Sequence, residues 1–194
     1  MARRSLIVVV AGPNGAGKST TAPRLLRQTL EVDEFVNADP IAQGLSGLRP
    51  DSVALAAGRV MLARLKELAA ARRNFAFETT LASRSFAPWL ESLQAAGYRV
   101  HLSFLSLPNA DLAVARVAER VRMGGHDVPE AVVRRRFVSG LRNFFALYQG
   151  IADRWQMFDN SAPGGPRPIA SGGEGESPKI LEPAAWRHLL EIQG

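Results

Sequence analysis

Gly12-Pro13-Asn14-Gly15-Ala16-Gly17-Lys18-Ser19 is the stretch on which the fold turns. It fits G-x-x-x-x-G-K-[ST], a loop whose backbone N–H groups cradle phosphates. Its flanks suit that reading. The apolar run from Leu6 to Ala11 predicts a buried strand. The residues from Lys18 to about Gln28 predict a helix, bent or shortened by Pro23. Strand, glycine loop and helix N-terminus together make an anion site, because converging amides and the helix dipole both favour negative charge. Gly12, Asn14, Gly15, Ala16, Gly17, Lys18, Ser19 and Thr20 are the candidate nucleotide contacts. Lys18 is expected to reach the β- and γ-phosphates of ATP, and the Ser19 hydroxyl to ligate Mg2+.

Outward from the loop, strands and helices alternate. Phe35-Val36-Asn37 predicts a short second strand, with Asp39 just past its end, and Gly44 to Pro50 is turn-rich. A long helix is predicted from Asp51 or Ser52 to Ala71, and Val53, Ala57, Val60, Met61, Ala63, Leu65 and Leu68 form its apolar face. Phe75 to Glu78 reads as the third strand, ending in Glu78-Thr79-Thr80. A helix capped by Ser83 or Ser85 ends at Gly97, and Tyr98 to Leu107 is the fourth strand. His101 alternates with apolar positions there and reads as a strand histidine, not a catalytic one.

Asn109 is the expected N-cap of a helix through Val121, which Gly124 to Pro129 breaks. The next helix runs from about Pro129 to Gly150, with Phe137, Leu141, Phe144, Phe145 and Tyr148 at core spacing. Trp155 to Asp159 is the fifth strand. The stretch 160–179 reads as a Gly/Pro/Ser-rich loop with one short candidate strand at 168–170, and Pro183 to Ile192 as a terminal helix. The expected class is α/β: a three-layer phosphate-loop fold with a five-stranded, mostly parallel sheet, in one domain over 1–194. Ligands of such sheets sit at the C-terminal strand ends. The loop, Asp39, Glu78 and Thr80 all fall there.

Composition narrows the classes. The 194 residues are enough for one domain with a real core. No apolar run approaches the ~18–20 residues of a membrane span, and there is no cysteine for a disulfide, a thiolate metal site or a nucleophile. A cytoplasmic protein that does not engage membrane is the default expectation. Net charge is +6, with three lysines and 21 arginines. Scattered arginines among abundant Ala, Gly and Pro fit GC-rich coding better than a polyanion surface. Arginines without an aromatic platform argue against nucleic acid.

Phosphoryl transfer needs neutralised phosphates, a positioned acceptor and a carboxylate to take the acceptor proton. Asp39 is the candidate base. Glu78 suits Mg2+ ligation through water or a hydroxyl-bearing acceptor. Arg116, Arg120 and Arg122, then Arg134, Arg135 and Arg136, flank a glycine-containing break, which is the pattern of a lid over about 116–137. Arg116 and Arg120 are four apart and share a helix face. Asp159-Asn160-Ser161 is a weaker candidate for the adenine border.

Taken in order, AGPNGAGKST (11–20), VNAD (36–39), FAFETT (75–80) and the RVAERV, GGHDVP and RRRF elements within 116–137 resemble the zeta toxin family of phosphate-loop kinases, in its small stand-alone bacterial form. The resemblance covers roughly residues 5–170. It implies an adenylate-kinase-like core and an ATP-dependent kinase that phosphorylates the 3′-hydroxyl of the sugar in UDP-N-acetylglucosamine. It also implies that Lys18 and Ser19 hold phosphates and Mg2+, that Asp39 is the general base, and that Glu78 and Thr80 contact the sugar nucleotide. An arginine of the Arg116/Arg120 helix would bind the γ-phosphate. Where the family carries a second lid arginine, three residues before a proline, this sequence has His126 before Pro129. Either His126 or one of Arg134 to Arg136, with Arg135 the central one, takes that role toward the substrate. Any antitoxin is expected to be a separate protein.

Two other readings fit less well. An ABC-type ATPase shares the loop wording, but Leu45-Ser46-Gly47-Leu48 lacks the rest of that family's signature and precedes the acidic strand end by about 30 residues. A kinase for another metabolite, a nucleotide or a polynucleotide end shares all the donor-side features.

Overall fold

The computed structural model describes residues 4–26, 32, 34–47, 50–125 and 127–193, with the backbone alone at 24, 50 and 51. At its centre is β1 (Leu6–Ala11), buried along its whole length. A continuous apolar strand suits the middle of a parallel sheet, where both faces are covered. It pairs in parallel with β3 (Phe75–Thr79) on one side and β4 (Arg99–Ser106) on the other. β2 (Glu34–Val36) adds in parallel outside β3, and β5 (Arg154–Asp159) outside β4.

The sheet then continues past the predicted five strands. Its order is β2-β3-β1-β4-β5-β6-β7, and β6 (Arg167–Gly173) and β7 (Lys179–Ile180) run antiparallel. Both lie in the stretch that composition marks as loop; β6 contains the short candidate strand at 168–170 and extends past it, and β7 is not predicted. Only Ile169 and Ala170 of β6 are buried, so the apolar signal is two residues long. Pro168 pairs at the register shift between Met157 and Phe158, an irregularity that tolerates a residue with no N–H.

Helices cover both faces, giving the expected three layers. On one face α1 (Lys18–Leu25) shields Leu6, Val8, Val10 and Ala76 through Ala22 and the following Leu26. The predicted end of that helix near Gln28 lies outside the described residues. On the same face α5 (Ala110–Arg122) and α6 (Glu130–Asn143) close a second cluster, in which Val117, Val133 and Phe137 meet Ala16, Leu105 and Leu107.

The other face carries the largest cluster, shared by α3 (Ala54–Ala70), α4 (Phe86–Ala95) and α8 (Pro183–Gln193). Its aromatic spine runs from Phe104 to Phe144 at 5.1 Å, on to Trp155 at 5.7 Å, and to Trp186, stacked on Trp155 at 5.8 Å. The aromatics after Phe137 are therefore core, as their spacing predicts. The predicted helix from Pro129 to Gly150 is three pieces: α6, a π-helical turn over Phe144–Tyr148, and α7 (Gln149–Ile151). The short α2 (Ala38–Leu45) begins just past the second strand, where no helix is predicted, and packs against α3.

Candidate active site

Gly17 decides the shape of the loop. It caps α1 at φ +76°, a left-handed conformation that a side chain would strain, and it supplies no side-chain cap. The first amides of α1 are thus left for an anion. A Cβ at Gly17 would stand 2.7 Å from the Asn160 amide nitrogen, which donates to the Ala16 carbonyl at 2.7 Å. Asn160 in turn is held by Arg116, whose guanidinium donates to the carbonyls of Asn160 (2.7 Å) and Ser161 (2.6 Å) and reaches Gly15 O at 3.5 Å. The loop is braced by α5 and by the end of β5.

Lys18 is 6% exposed. Its Nζ donates to Pro13 O at 2.9 Å and lies 3.6 Å from Glu78 Oε1. Burial pushes its pKa below the usual lysine value; Glu78 and Asp39 oppose that, and Arg120 adds to it. The Ser19 hydroxyl donates to Glu78 Oε2 at 2.7 Å. Asn37 binds the same network twice. Its Nδ2 donates to Glu78 Oε2 at 2.8 Å and to Ser19 Oγ at 3.3 Å, while its Oδ1 accepts the Asp39 N–H at 2.9 Å as the N-cap of α2. One amide side chain therefore orients Glu78 and starts the helix that carries Asp39.

This donor set suits Mg2+. It offers a hydroxyl and a carboxylate oxygen side by side, and no group of three or more His, Cys, Asp or Glu placed to hold a metal ion exists among the described residues. A hard cation bound mainly by phosphates and water, with one or two protein oxygens, fits that arrangement. The glycine-walled loop and the open amides of α1 suit the phosphates themselves.

Cations converge on Asp39. Arg120 Nη1 lies 4.0 Å from Asp39 Oδ2. Arg136 is half-buried and 3.5 Å from Asn14 Oδ1. Burial and then Arg135 lower the Arg136 pKa, while Asp39 raises it. Arg116 and Arg120 share a face, as their spacing predicts, but Arg116 is spent on the Asn160 and Ser161 carbonyls and Arg120 faces Asp39. Among the triplet, Arg134 is tied to Glu130 at 2.8 Å and Asp111 at 2.6 Å, and Arg135 is exposed. Arg136, not Arg135, is thus the one that the helix turns toward the loop. His126 lies outside the described residues. Thr20 is exposed in the first turn of α1.

Past β3 the chain makes a tight, strained passage. The Thr79 hydroxyl accepts the Leu81 N–H at 3.1 Å, and the Thr80 hydroxyl accepts the Ala82 N–H at 3.4 Å. Leu81 sits at φ +55° and is fully buried. A left-handed leucine costs about 1–2 kcal/mol. Three residues of α6 and the π-helical turn after it hold it: Gly140, over which the Thr80 carbonyl closes where a Cβ would clash; Asn143, donating to the carbonyls of Leu81 (2.7 Å) and Ala82 (3.2 Å); and Tyr148, donating to Ser83 O at 2.7 Å. Helix α6 thus touches the phosphate loop through Arg136 and the Thr80 segment through Gly140 and Asn143.

The sequence reading assigned no role to Asn37 or Asn143, and named Arg136 only as one of the Arg134 to Arg136 triplet, with Arg135 preferred. Asn37 had a usable signal, since Asn two residues before Asp39 is a helix N-cap pattern. Arg136 follows Val133 by three on the inner face of α6. Asn143 had none, because its partners are 61 and 62 residues away.

Residues 7–142 match the model of the AAA_33 family, described as an AAA domain. The chain belongs to this family. An uncharacterised protein of Haemophilus influenzae is 28% identical over 130 residues, which is 67% of this chain and 91% of that one. The fold is similar to that of AvrRxo1-ORF1:-ORF2 crystallised with ATP, at TM-score 0.74 and 15% identity over 99% of this chain. The AAA_33 chain spans 64% of the AvrRxo1 chain it matches. It is also similar to a structure from the PezAT chromosomal toxin–antitoxin system of Streptococcus pneumoniae, at TM-score 0.65 and 14% identity, covering 99% of this chain and 88% of that one. A kinase-like protein of Chloroflexus aurantiacus matches 69% of this chain and 80% of its own at TM-score 0.54 and 18% identity. At these identities the likeness is one of fold: an α/β phosphate-loop kinase fold with a mostly parallel sheet. No helix among the described residues is long and apolar enough to cross a membrane.

Proposed function

We propose that the protein is an ATP-dependent kinase of the zeta toxin type, a single domain over 1–194 that phosphorylates a hydroxyl of a UDP-activated amino sugar such as UDP-N-acetylglucosamine. One observation carries it. Lys18, Arg120 and Arg136 gather around Asp39, with Glu78 against Lys18, at the C-terminal ends of the central strands, where transfer needs cations and one carboxylate base.

In this reading the acceptor oxygen attacks the γ-phosphorus, its proton passes to Asp39, and the β–γ bridging bond breaks to leave ADP and a phosphate ester. Lys18 and the α1 amides hold the phosphates. Arg120 and Arg136 lie where charge spreads over the transferred group. Arg116 shapes the nucleoside side, next to the Asn160 and Ser161 carbonyls. Mg2+ at Ser19 would neutralise phosphate charge. The Lys18 and Ser19 contacts support Glu78 on that metal side, with Thr80 and the 79–83 segment toward the acceptor. Arg122, Arg135 and His126 complete the lid over about 116–137. A cytoplasmic setting and a separate antitoxin protein belong to the same proposal; the PezAT and AvrRxo1-ORF1:-ORF2 structures each pair two components.

The acceptor is tested by incubating the protein with γ-labelled ATP and UDP-N-acetylglucosamine, other UDP-sugars or nucleotides. Label on the amino sugar nucleotide supports the reading; label on another acceptor alone moves it to a different kinase. Growth arrest on expression, relieved by Lys18→Ala, tests the toxin part, and its absence removes the toxin while leaving the kinase.

A further inference from the structure

The α1/α5 face of the sheet holds a second concave region, away from the phosphate loop. His101, Ser103, Arg154, Gln156, Ser171 and Lys179 line a groove of about 480 Å³ across β4 to β7. The registers explain why they meet. His101 pairs with Arg154, Ser103 with Gln156, Gln156 with Ser171, and Ser171 with Lys179. Directly opposed residues share a face, so all six stand on one side of the sheet. Over β1 that side is sealed by α1, and over the C-terminal part of β4 by α5. Toward the N-terminal half of β4 and across β5 to β7 it stays polar.

The charges here are not committed to ion pairs among the described residues, unlike several arginines elsewhere. Arg64, Arg134 and Arg167 are all in ion pairs. Among the described residues, Arg99, Arg154 and Lys179 are in none, and the Arg99 Nε is buried without a hydrogen-bond partner. Arg99 shares the face of His101, two residues away on β4. The acids nearby do little to offset them. Asp153 accepts from Gln94 and from the Val100 N–H, and Glu176 is the one acid lining the groove. The His101 ring is held below its usual pKa by burial, then by Arg99 and Arg154, against Asp153. Positive charge is therefore concentrated beside uncharged donors in a concave site.

We infer that this groove is a second ligand site, for a small anion of two or more charges such as a phosphorylated metabolite. Several donors around a partly enclosed space suit a compact polyanion. A nucleic-acid strand fits less well, since Trp155, the one Phe, Tyr or Trp side chain in the lining, is 3% exposed and offers no stacking face. The site is distinct from the phosphate loop: His101 lies five residues before Ser106 at the strand end, about 17 Å at the rise of a strand.

The probe is inorganic pyrophosphate, titrated calorimetrically into the full chain with the phosphate loop kept full by Mg2+ and a non-hydrolysable ATP analogue. The expected result is one pyrophosphate per chain, with affinity at least tenfold weaker in Arg154→Glu and in Lys179→Glu, both exposed positions, while the analogue binds each variant as it binds the wild type. Absence of pyrophosphate binding once the loop is full overturns the inference. So does equal binding by the two variants, or binding of a polyglutamate peptide or an RNA oligomer in place of pyrophosphate. Failure of the analogue to bind any version of the protein would strike the nucleotide reading instead, and the two glutamate variants would still read the groove.

Discussion

In the proposed kinase, Lys18 serves function at the expense of the fold. Its pKa is lowered chiefly by burial, so the folded, ligand-free protein holds an ammonium that it disfavours. The sign is that of a depressed base: the cost is present below the folded pKa and disappears as pH rises toward the unfolded value near ~10.4. At neutral pH, Lys18→Met should therefore leave the melting temperature of the ligand-free protein unchanged or higher. It should also abolish the upward shift that ATP and Mg2+ give the wild type. A thermal scan with and without nucleotide checks both. Asn37 works differently. Asn37→Ser keeps a good N-cap but removes the Nδ2 donor to Glu78 and Ser19. It should stay within about 0.5 kcal/mol of wild-type stability while losing roughly tenfold or more in turnover. Asn37→Ala should in addition lose about 1 kcal/mol in chemical denaturation, the usual worth of a cap.

At the scale of elements, α6 is the member that couples the two halves of the crevice. Its Asn143 satisfies two carbonyls of the strained 79–83 segment, and removing it would leave both without that donor. Asn143→Ala should cost about 2–3 kcal/mol, the penalty of unsatisfied buried polar groups. Its functional effect should be selective: a raised KM for the acceptor with nucleotide affinity unchanged, measured by steady-state kinetics beside nucleotide titration. An equal loss of both would mean that α6 only stabilises the fold. The hairpin of β5 and β6 carries a pH signature. Burial raises the Asp159 pKa, but Ser161 and Arg167, the latter at 2.6 Å, outweigh it and bring the carboxyl below its usual value. A depressed carboxylate stabilises above its unfolded pKa near ~3.9 and loses that contribution as pH falls through the folded value. Denaturation curves between pH 6 and pH 3 should thus show a shallower acid loss for Asp159→Asn than for the wild type.

For the whole molecule, the layout was legible wherever the signal is local. The loop at 12–19, the buried run Leu6 to Ala11, the Asn109 cap and the aromatic spacing after Phe137 all read correctly from neighbouring residues. What escaped depends on distant partners. The full length of β6, beyond the candidate strand at 168–170, and all of β7 are strands because β5 and then β6 offer an edge, not because Gly, Pro and Ser favour a strand. Arg116 and Arg120 share a helical face and look alike in sequence, yet one binds carbonyls of the 160–161 turn and the other faces Asp39. Asn37 entered the crevice as an unremarked member of a motif, and Arg136 as one of three adjacent arginines of which Arg135 was preferred. Periodicity finds faces; it does not find which residue on a face reaches across to another element.

The central claim is that Asp39 and Lys18 stand on the two sides of one transfer reaction. The most direct measurement compares Asp39→Ala, Lys18→Ala and wild type in phosphoryl transfer from γ-labelled ATP to UDP-N-acetylglucosamine, other UDP-sugars and nucleotides, with ATP binding and hydrolysis followed in parallel. The account predicts a labelled acceptor with the wild type, loss of transfer with retained ATP binding in Asp39→Ala, and loss of both in Lys18→Ala. No labelled product from any acceptor, together with ATP hydrolysis that Asp39→Ala leaves unchanged, would contradict it.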